Sequence, residues 1–198
     1  MTGFLLGTGL VAQANESANS QSTTNDHSFT LGGLPVYMEV FGGLTLYPNL
    51  DYAGTDYKMD NGYNLGGSFG ASLNQNVDLE FEIFYTKTSY TGFSDEFTSL
   101  SLMTNAYYNY PITEKLVGYV GAGVGAMQIA YDSSTVAYSQ HWVFAYQLMA
   151  GIRYPIYQNI DIFTEYRFSD AANDATLYST DNVEYKSHNF TVGLRYNF

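Results

Sequence analysis

The sequence predicts an all-β fold, an eight-stranded antiparallel transmembrane β-barrel arranged as an up-and-down meander. Three observations support this prediction. Eight segments alternate apolar and polar residues with the period of two that is typical of strands. The connections between these segments alternate between short and long, and the charged residues within the segments occupy the polar side only.

The first four predicted strands cover residues 36–46, 63–73, 77–86 and 100–110. Each reaches the ~9 to 11 residues that a tilted strand needs to cross a bilayer. The third is the clearest, because its apolar residues take every odd position from Val77 to Tyr85 while acidic residues take even positions between them. Such a segment has one apolar and one polar face only if it is extended.

The last four predicted strands cover residues 116–126, 144–154, 160–168 and 188–198. The fifth strand interleaves Gly121, Gly123 and Gly125 with apolar residues. Glycines in a strand usually mark tight curvature or close packing, which a small barrel requires. A phosphate-binding loop is the alternative, but the stretch lacks the Lys and Ser/Thr that complete such a loop.

The connections provide an independent clue to orientation. Those at residues 74–76, 111–115 and 155–159 are short, whereas those at 47–61, 88–96, 132–141 and 170–187 are long and polar. Barrels of bacterial outer membranes have short periplasmic turns and longer external loops. We therefore expect the protein in the bacterial outer membrane with both termini on the periplasmic side.

Composition excludes several other classes. Hydrophobic residues make up 45% of the chain, yet none of them form the long apolar run of a membrane helix. The chain has 20 Tyr, a residue that membrane interfaces favour. It has no Cys, so a disulfide framework, a thiol nucleophile and a Cys-based metal site are excluded. A net charge of -12 argues against nucleic-acid binding.

The amino-terminal region divides into two parts before the barrel. Residues 1–14 contain an apolar run followed by Ala12, Gln13 and Ala14, a pattern typical of a signal peptide and its cleavage site. No Lys or Arg precedes the run, so we interpret it as a truncated signal peptide. We predict that residues 15–34 form a disordered polar leader and that residues 35–198 form the barrel domain.

The charged residues of the strands predict the content of the barrel interior. An Arg that faces lipid near the bilayer midplane costs on the order of 2 to 4 kcal/mol, so the charged side of each strand must face inward. The interior of an eight-stranded barrel is just wide enough for side chains to fill. We therefore expect a structural polar network in the lumen, made of Glu39, Glu80, Glu82, Arg153, Glu165, Arg167 and Arg195.

The last strand has an apolar face that ends on an aromatic residue. This face consists of Phe190, Val192, Leu194, Tyr196 and Phe198. The segment resembles the closing strand and insertion signal of bacterial outer-membrane barrels, whose last residue is typically Phe. The resemblance implies that these five residues form an assembly signal for the barrel-assembly machinery.

Several motifs together indicate a family. The glycine-rich fifth strand, the run Tyr-Gln-Leu-Met-Ala-Gly-Ile-Arg-Tyr at 146–154, the run Phe-Thr-Glu-Tyr-Arg-Phe at 163–168 and the terminal Gly-Leu-Arg-Tyr-Asn-Phe are similar to small outer-membrane β-barrels. That family includes the OmpA membrane domain, OmpX and the neisserial opacity proteins. The resemblance implies a surface protein for envelope integrity, adhesion or host contact. Its expected partners are outer-membrane lipid, lipopolysaccharide and a host or surface ligand bound by the loops.

Two functional alternatives remain open at this point, and one alternative fold can be weighed. A lipid A-modifying enzyme would need a His and a Ser near the outer surface, and His188 is followed two positions on by Phe190, whereas His141 follows Ser139. A narrow diffusion pore would need a water-filled lumen. A soluble lipocalin-like barrel would turn its apolar side inward; charge placement alone does not reject it, but the terminal aromatic strand and the signal-like segment do. We predict no catalytic, cofactor-binding or metal-binding residue, and we interpret the acidic loops as solvated surface rather than as cation bridges to lipopolysaccharide.

Overall fold

A computed structural model describes residues 30–47, 50–52, 55–57, 61–89, 96–133, 136–137, 141–171, 175–176, 182–183 and 186–198. Eight long strands dominate it: β1 Leu34–Leu46, β2 Gly62–Ser72, β3 Val77–Ser89, β4 Glu96–Pro111, β5 Val117–Ser133, β6 His141–Pro155, β7 Ile160–Ala171 and β8 Lys186–Asn197. Each pairs antiparallel with the next, and β8 pairs with β1, so the sheet closes. The predicted eight-stranded meander is confirmed. Within the described residues, no helix is long and apolar enough to cross a membrane.

The strands extend further than the alternation predicted at the end opposite the short turns. The pairing of β4 with β5 begins at Glu96 and Asp132 and continues toward the short turns. β6 begins at His141, and β7 continues to Ala171. These ends are more polar than the rest of the strands, which is why the sequence predicted loops there. Backbone pairing does not depend on apolar side chains, so the ladders continue past the apolar belt.

The strands are strongly staggered around the barrel. Following paired residues once around the wall from Val36 leads back to β1 at Leu46, a stagger of ten residues. With about 3.3 Å per residue and about 4.8 Å between strands, this stagger corresponds to a strand tilt of about 40°. Tilt and strand number fix the diameter of a barrel, and eight strands leave an interior that side chains can fill.

Burial alternates along the strands in the sense expected for a membrane barrel. Apolar side chains face outward, as at Val40, which is 63% exposed, while the neighbouring Glu39 points inward and is 8% exposed. The same pattern holds on the other strands, where Leu65, Leu148 and Val192 are exposed. A soluble lipocalin-like barrel would have the opposite arrangement, so this alternative is excluded.

The three short turns share one backbone geometry. In each, the first residue donates its N–H to the carbonyl oxygen four residues on: Leu73 to Val77 at 2.9 Å, Ile112 to Leu116 at 2.8 Å, and Ile156 to Ile160 at 2.9 Å. The second residue of each turn donates to the same carbonyl oxygen. Because these turns are short and uniform, they define the periplasmic end of the barrel.

Both described ends of the chain lie at this periplasmic end. Thr30–Leu31 pairs with Leu34 and Pro35 through a tight turn in which Gly32 and Gly33 have φ values of 61° and 84°. Only glycine adopts such φ values freely, so the two glycines permit this hairpin. The hairpin falls within the stretch expected to be a leader, whereas residues 1–29 lie outside the described residues.

Gly43 marks a close approach between β1 and β8. A Cβ atom at this position would collide with the carbonyl oxygen of Phe190 and lie 2.9 Å from Cα of Thr191. We expect Gly43→Ala to lower the free energy of unfolding by about 1 to 3 kcal/mol, as overpacking does in other cores. Gly42→Ala is the matched control, because its Cβ would lie 3.2 Å from the nearest atom. Urea unfolding of both variants in detergent tests this, and equal stability would contradict it.

Candidate functional site

Polar side chains fill the lumen of the barrel, and the most buried of them surround Arg167. Its guanidinium contacts Oε1 of Glu82 at 2.6 Å through Nη1 and Oε1 of Glu165 at 2.8 Å through Nη2. The guanidinium carbon lies 4.5 Å from the ring centre of Phe84 and 5.2 Å from that of Phe41. We call Arg167, Glu82 and Glu165 the central cluster. In this cluster the Arg167 cation lies between two carboxylates and two aromatic faces. These contacts compensate for the complete removal of the guanidinium from water.

Two amides extend the central cluster across the lumen. Gln147 donates through Nε2 to Oε1 of Glu82 at 3.1 Å and to Oδ1 of Asn105 at 2.7 Å. Asn105 in turn donates to Oε2 of Glu82 at 3.3 Å. These bonds join β3, β4 and β6, so the network connects strands that are not neighbours in the wall. Fully satisfied buried networks of this kind fix one packing arrangement.

A second group, the periplasmic cluster, lies near the short turns and contains Arg195, Arg153, Glu39, Asp78 and Asp161. Arg195 donates to Oε1 of Glu39 at 2.6 Å and to Oδ2 of Asp78 at 3.1 Å. Its guanidinium carbon lies 3.6 Å from the ring centre of Tyr37. Arg153 lies 3.9 Å from Asp78 and 3.7 Å from Asp161. The two arginines therefore share Asp78.

Glu80 lies between the two clusters and is held by neutral donors. Its carboxylate accepts hydrogen bonds from Asn105 at 3.2 Å, from the hydroxyl of Tyr37 at 3.4 Å and from that of Tyr107 at 3.5 Å. Tyr37 also stacks on Arg195, so Glu80 connects the periplasmic cluster to the amides of the central one. The polar network is therefore continuous along the lumen.

The structure places all seven residues predicted for the lumen inside it. Asp78 and Asp161, which the predicted network did not include, also belong to it. Sequence reasoning missed the neutral partners and the inward aromatic residues, which are Tyr37, Asn105, Tyr107, Asn109, Gln147, Phe41, Phe84 and Phe163. The signal that could have identified them is strand parity, because each lies on the polar side of its strand, which on β1, β3, β6 and β7 also carries charges.

A small cavity lies between the clusters in the part of the lumen that the structure describes. A cavity of about 10 Å³ is bordered by Glu39, Glu165, Arg153, Arg195 and three neighbouring polar side chains, Tyr107, Asn109 and Tyr119. That volume is about what one water molecule requires. This cavity can therefore hold a water, but it is too small for a solute.

The two histidines that could belong to a catalytic site lie in different surroundings. His188 lies on the outward face, where Nδ1 and the Tyr166 hydroxyl share a hydrogen bond of 2.7 Å and the ring packs beside Phe168. Neither neighbour is the Ser or the acidic residue that the expected lipid A-modifying site would need. His141 begins β6, and Ser139 lies outside the described residues. Among the described residues, no group of three His, Asp or Glu is arranged to hold a metal ion.

The outer wall carries aromatic residues at both edges of its apolar belt. Tyr63 and Trp142 lie at the external ends of β2 and β6, and exposed tyrosines lie at the periplasmic ends of β4, β6 and β8, namely Tyr108, Tyr110, Tyr154 and Tyr196. Aromatic girdles flanking an apolar band are typical of outer-membrane barrels, since their rings suit the headgroup region.

The five residues assigned to the assembly signal lie along β8 and just after it. Phe190, Val192, Leu194 and Tyr196 face outward and are exposed. Phe198 follows the strand, donates its backbone N–H to the carbonyl oxygen of Val36 at 3.1 Å, and packs edge-on against Tyr196. This end of β8 therefore contacts the first strand, at the seam where the barrel closes.

A closed barrel with a polar lumen, an apolar outer belt and two aromatic girdles defines a small β-barrel protein of the bacterial outer membrane. Residues 4–198 match the family model of the outer membrane protein beta-barrel domain. The chain belongs to this family, and the expected location in the outer membrane is confirmed.

Solved structures show the same fold. Neisserial surface protein A (NspA) is 18% identical with a TM-score of 0.60, over 82% of this chain and 97% of that one. The amino-terminal barrel of OprF from Pseudomonas aeruginosa is 20% identical, with a TM-score of 0.51 over 83% and 97%. Ail, the attachment invasion locus protein of Yersinia pestis, is 15% identical, with a TM-score of 0.51 over 84% and 99%. No curated protein sequence matches the chain.

Proposed function

We propose that this protein is a structural and surface protein of the outer membrane, in which the external loops bind a partner and the lumen serves as a rigid core. The observation that carries the proposal is the continuous network of ion pairs and hydrogen bonds that connects the central and periplasmic clusters. Such a filled lumen supports a structural role for its seven predicted residues. It also disfavours a diffusion pore, which needs water-filled space.

The proposed binding surface consists of the segments that join the strands at the external end. The long strand ladders of the barrel extend to this end. Binding residues are commonly carried by loops on such rigid scaffolds. The name of Ail, attachment invasion locus protein, assigns an attachment role to a barrel of similar fold. We infer an equivalent role for this chain, toward a host or surface ligand, in a membrane whose lipopolysaccharide surrounds the loops.

Replacing the four external segments with short Gly-Ser turns tests the proposal. The variant replaces residues 48–60, 90–95, 134–140 and 172–185 and retains all eight strands. We expect it to fold, to show heat-modifiable migration in detergent gels, and to lose binding to cells or extracellular matrix. The matched control replaces the periplasmic turn residues Gln75, Glu114 and Gln158 with Ser and should bind as the wild type does.

The same samples distinguish the two other functions. Conductance steps in planar bilayers that survive loop replacement would favour a pore and contradict a closed lumen. Deacylated lipid A produced by the wild type and lost on His141→Ala would favour an enzyme. Binding that persists without the four loops would contradict the assignment of the partner surface.

A further inference from the structure

A groove crosses the lipid-facing wall of the barrel in its periplasmic half. It has a volume of about 170 Å³ and is lined by Leu116, Ile152, Tyr154, Ile162, Thr164 and Val192. Arg153 and Phe163 also line the groove, at its floor, although their side chains point into the lumen. The groove extends from Leu116, just before β5, across β6 and β7 to β8, and it opens on the opposite face of the wall from the polar network of the lumen.

The groove contains two short side chains, Thr164 and Val192, beside longer ones. Thr164 on β7 is paired in register with Ile152 on β6 and Val192 on β8, and the row beside it pairs Tyr154 with Ile162. These four neighbours are exposed and stand away from the wall. Since Thr164 and Val192 are shorter than the two isoleucines and Tyr154, the wall is indented at this position.

The location of the groove restricts what can fill it. It lies on the wall that faces lipid, so its contents come from the bilayer. Tyr154 directly precedes Pro155, the last residue of β6, and therefore marks the headgroup region at the periplasmic side. The adjacent leaflet is the periplasmic one, which consists of phospholipids, whereas lipid A occupies the external leaflet.

We propose that the groove is a binding site for one acyl chain of a periplasmic-leaflet phospholipid, with the headgroup beside the Tyr154 hydroxyl. An acyl chain that lies in an indentation contacts the wall on several sides. It therefore makes more van der Waals contacts with the protein than a chain on a flat surface does. The bound lipid is therefore retained longer than the lipids around the rest of the barrel. Its recognition is by shape and by headgroup position.

Native mass spectrometry of the folded protein tests this site. The wild type is reconstituted with phosphatidylethanolamine, phosphatidylglycerol and lipid A, and is then released from detergent. We expect one retained phospholipid. Thr164→Ile fills the groove with a residue that suits a strand, and we expect it to lose that phospholipid. The matched control is Thr104→Ile on β4, which replaces another exposed Thr that is paired with Val124.

Each outcome decides the proposal. Retention by the wild type and by Thr104→Ile, but not by Thr164→Ile, supports it. A wild type that retains no phospholipid, or that retains lipid A instead, overturns it even if a variant fails to fold. Equal retention by Thr164→Ile and the wild type also overturns it. A dimer that Thr164→Ile dissociates would show that a second barrel, rather than a lipid, occupies the groove.

Discussion

Replacing Arg167 with Met is expected to lower the free energy of unfolding of the barrel by about 3 to 5 kcal/mol. The substitution removes the cation that contacts Glu82 at 2.6 Å and Glu165 at 2.8 Å, and it leaves both carboxylates buried. Uncompensated buried charge is the source of the cost, since Met retains most of the contacts with Phe41 and Phe84. Urea unfolding in detergent micelles, followed by heat-modifiable migration, measures the change.

Two further variants separate the charge effect from the packing effect. Combining Arg167→Met with Glu82→Gln and Glu165→Gln removes the unpaired charges, and we expect it to recover much of the lost stability. Lys115→Met removes a positive charge from an exposed periplasmic turn and should leave stability unchanged. If Arg167→Met and Lys115→Met unfold at the same urea concentration, the central cluster does not stabilise the barrel.

Deleting Phe198 is expected to abolish surface levels of the protein in cells. The residue lies at the seam between the last and first strands, where its N–H reaches the carbonyl oxygen of Val36. The resemblance to outer-membrane insertion signals implies that the assembly machinery reads this aromatic end. Quantitative immunoblotting of outer-membrane and periplasmic fractions measures the effect, and the deleted form should be retained in the periplasm or degraded.

Refolding in vitro provides the control for the deletion. Without the assembly machinery, the deleted protein should still fold in detergent, because one terminal residue contributes little to the long β7–β8 ladder. Phe198→Tyr keeps an aromatic terminus and should reach the surface. Normal surface levels of the deletion would contradict the role of Phe198, and failure to refold would show that its role is structural.

The strands were predictable from the sequence because successive residues of a membrane-barrel strand face different environments, lipid and lumen in turn. Every strand alternates between lipid and lumen, so a period of two is visible without any structural information. The ends of β4 and β5 were harder, since the sequence becomes polar toward Glu96 and Ser133 and the alternation fades there. Asp170 shows the same problem: it was expected in a loop, yet it belongs to β7 and accepts a hydrogen bond from Tyr146 at 2.7 Å.

The pairing of charges inside the lumen was not predictable from the pattern. Parity indicated that Arg153, Arg167 and Arg195 point inward, but which carboxylate each one meets depends on stagger. A stagger of ten residues brings Arg167 of β7 opposite Glu82 of β3, a separation of 85 residues in sequence. Neither residue spacing nor composition determines that stagger, because it depends on how all eight strands pair.

The contact between Arg167 and Glu82 also has a mechanical meaning, because β7 and β3 lie on opposite sides of the ring of strands. The ion pair acts as a strut across the diameter, and the bond from Gln147 on β6 to Glu82 adds a second strut at an angle to the first. Lateral pressure in a bilayer tends to flatten a hollow cylinder. A cross-braced cylinder keeps its circular section, so the external ends of its eight strands remain at constant spacing.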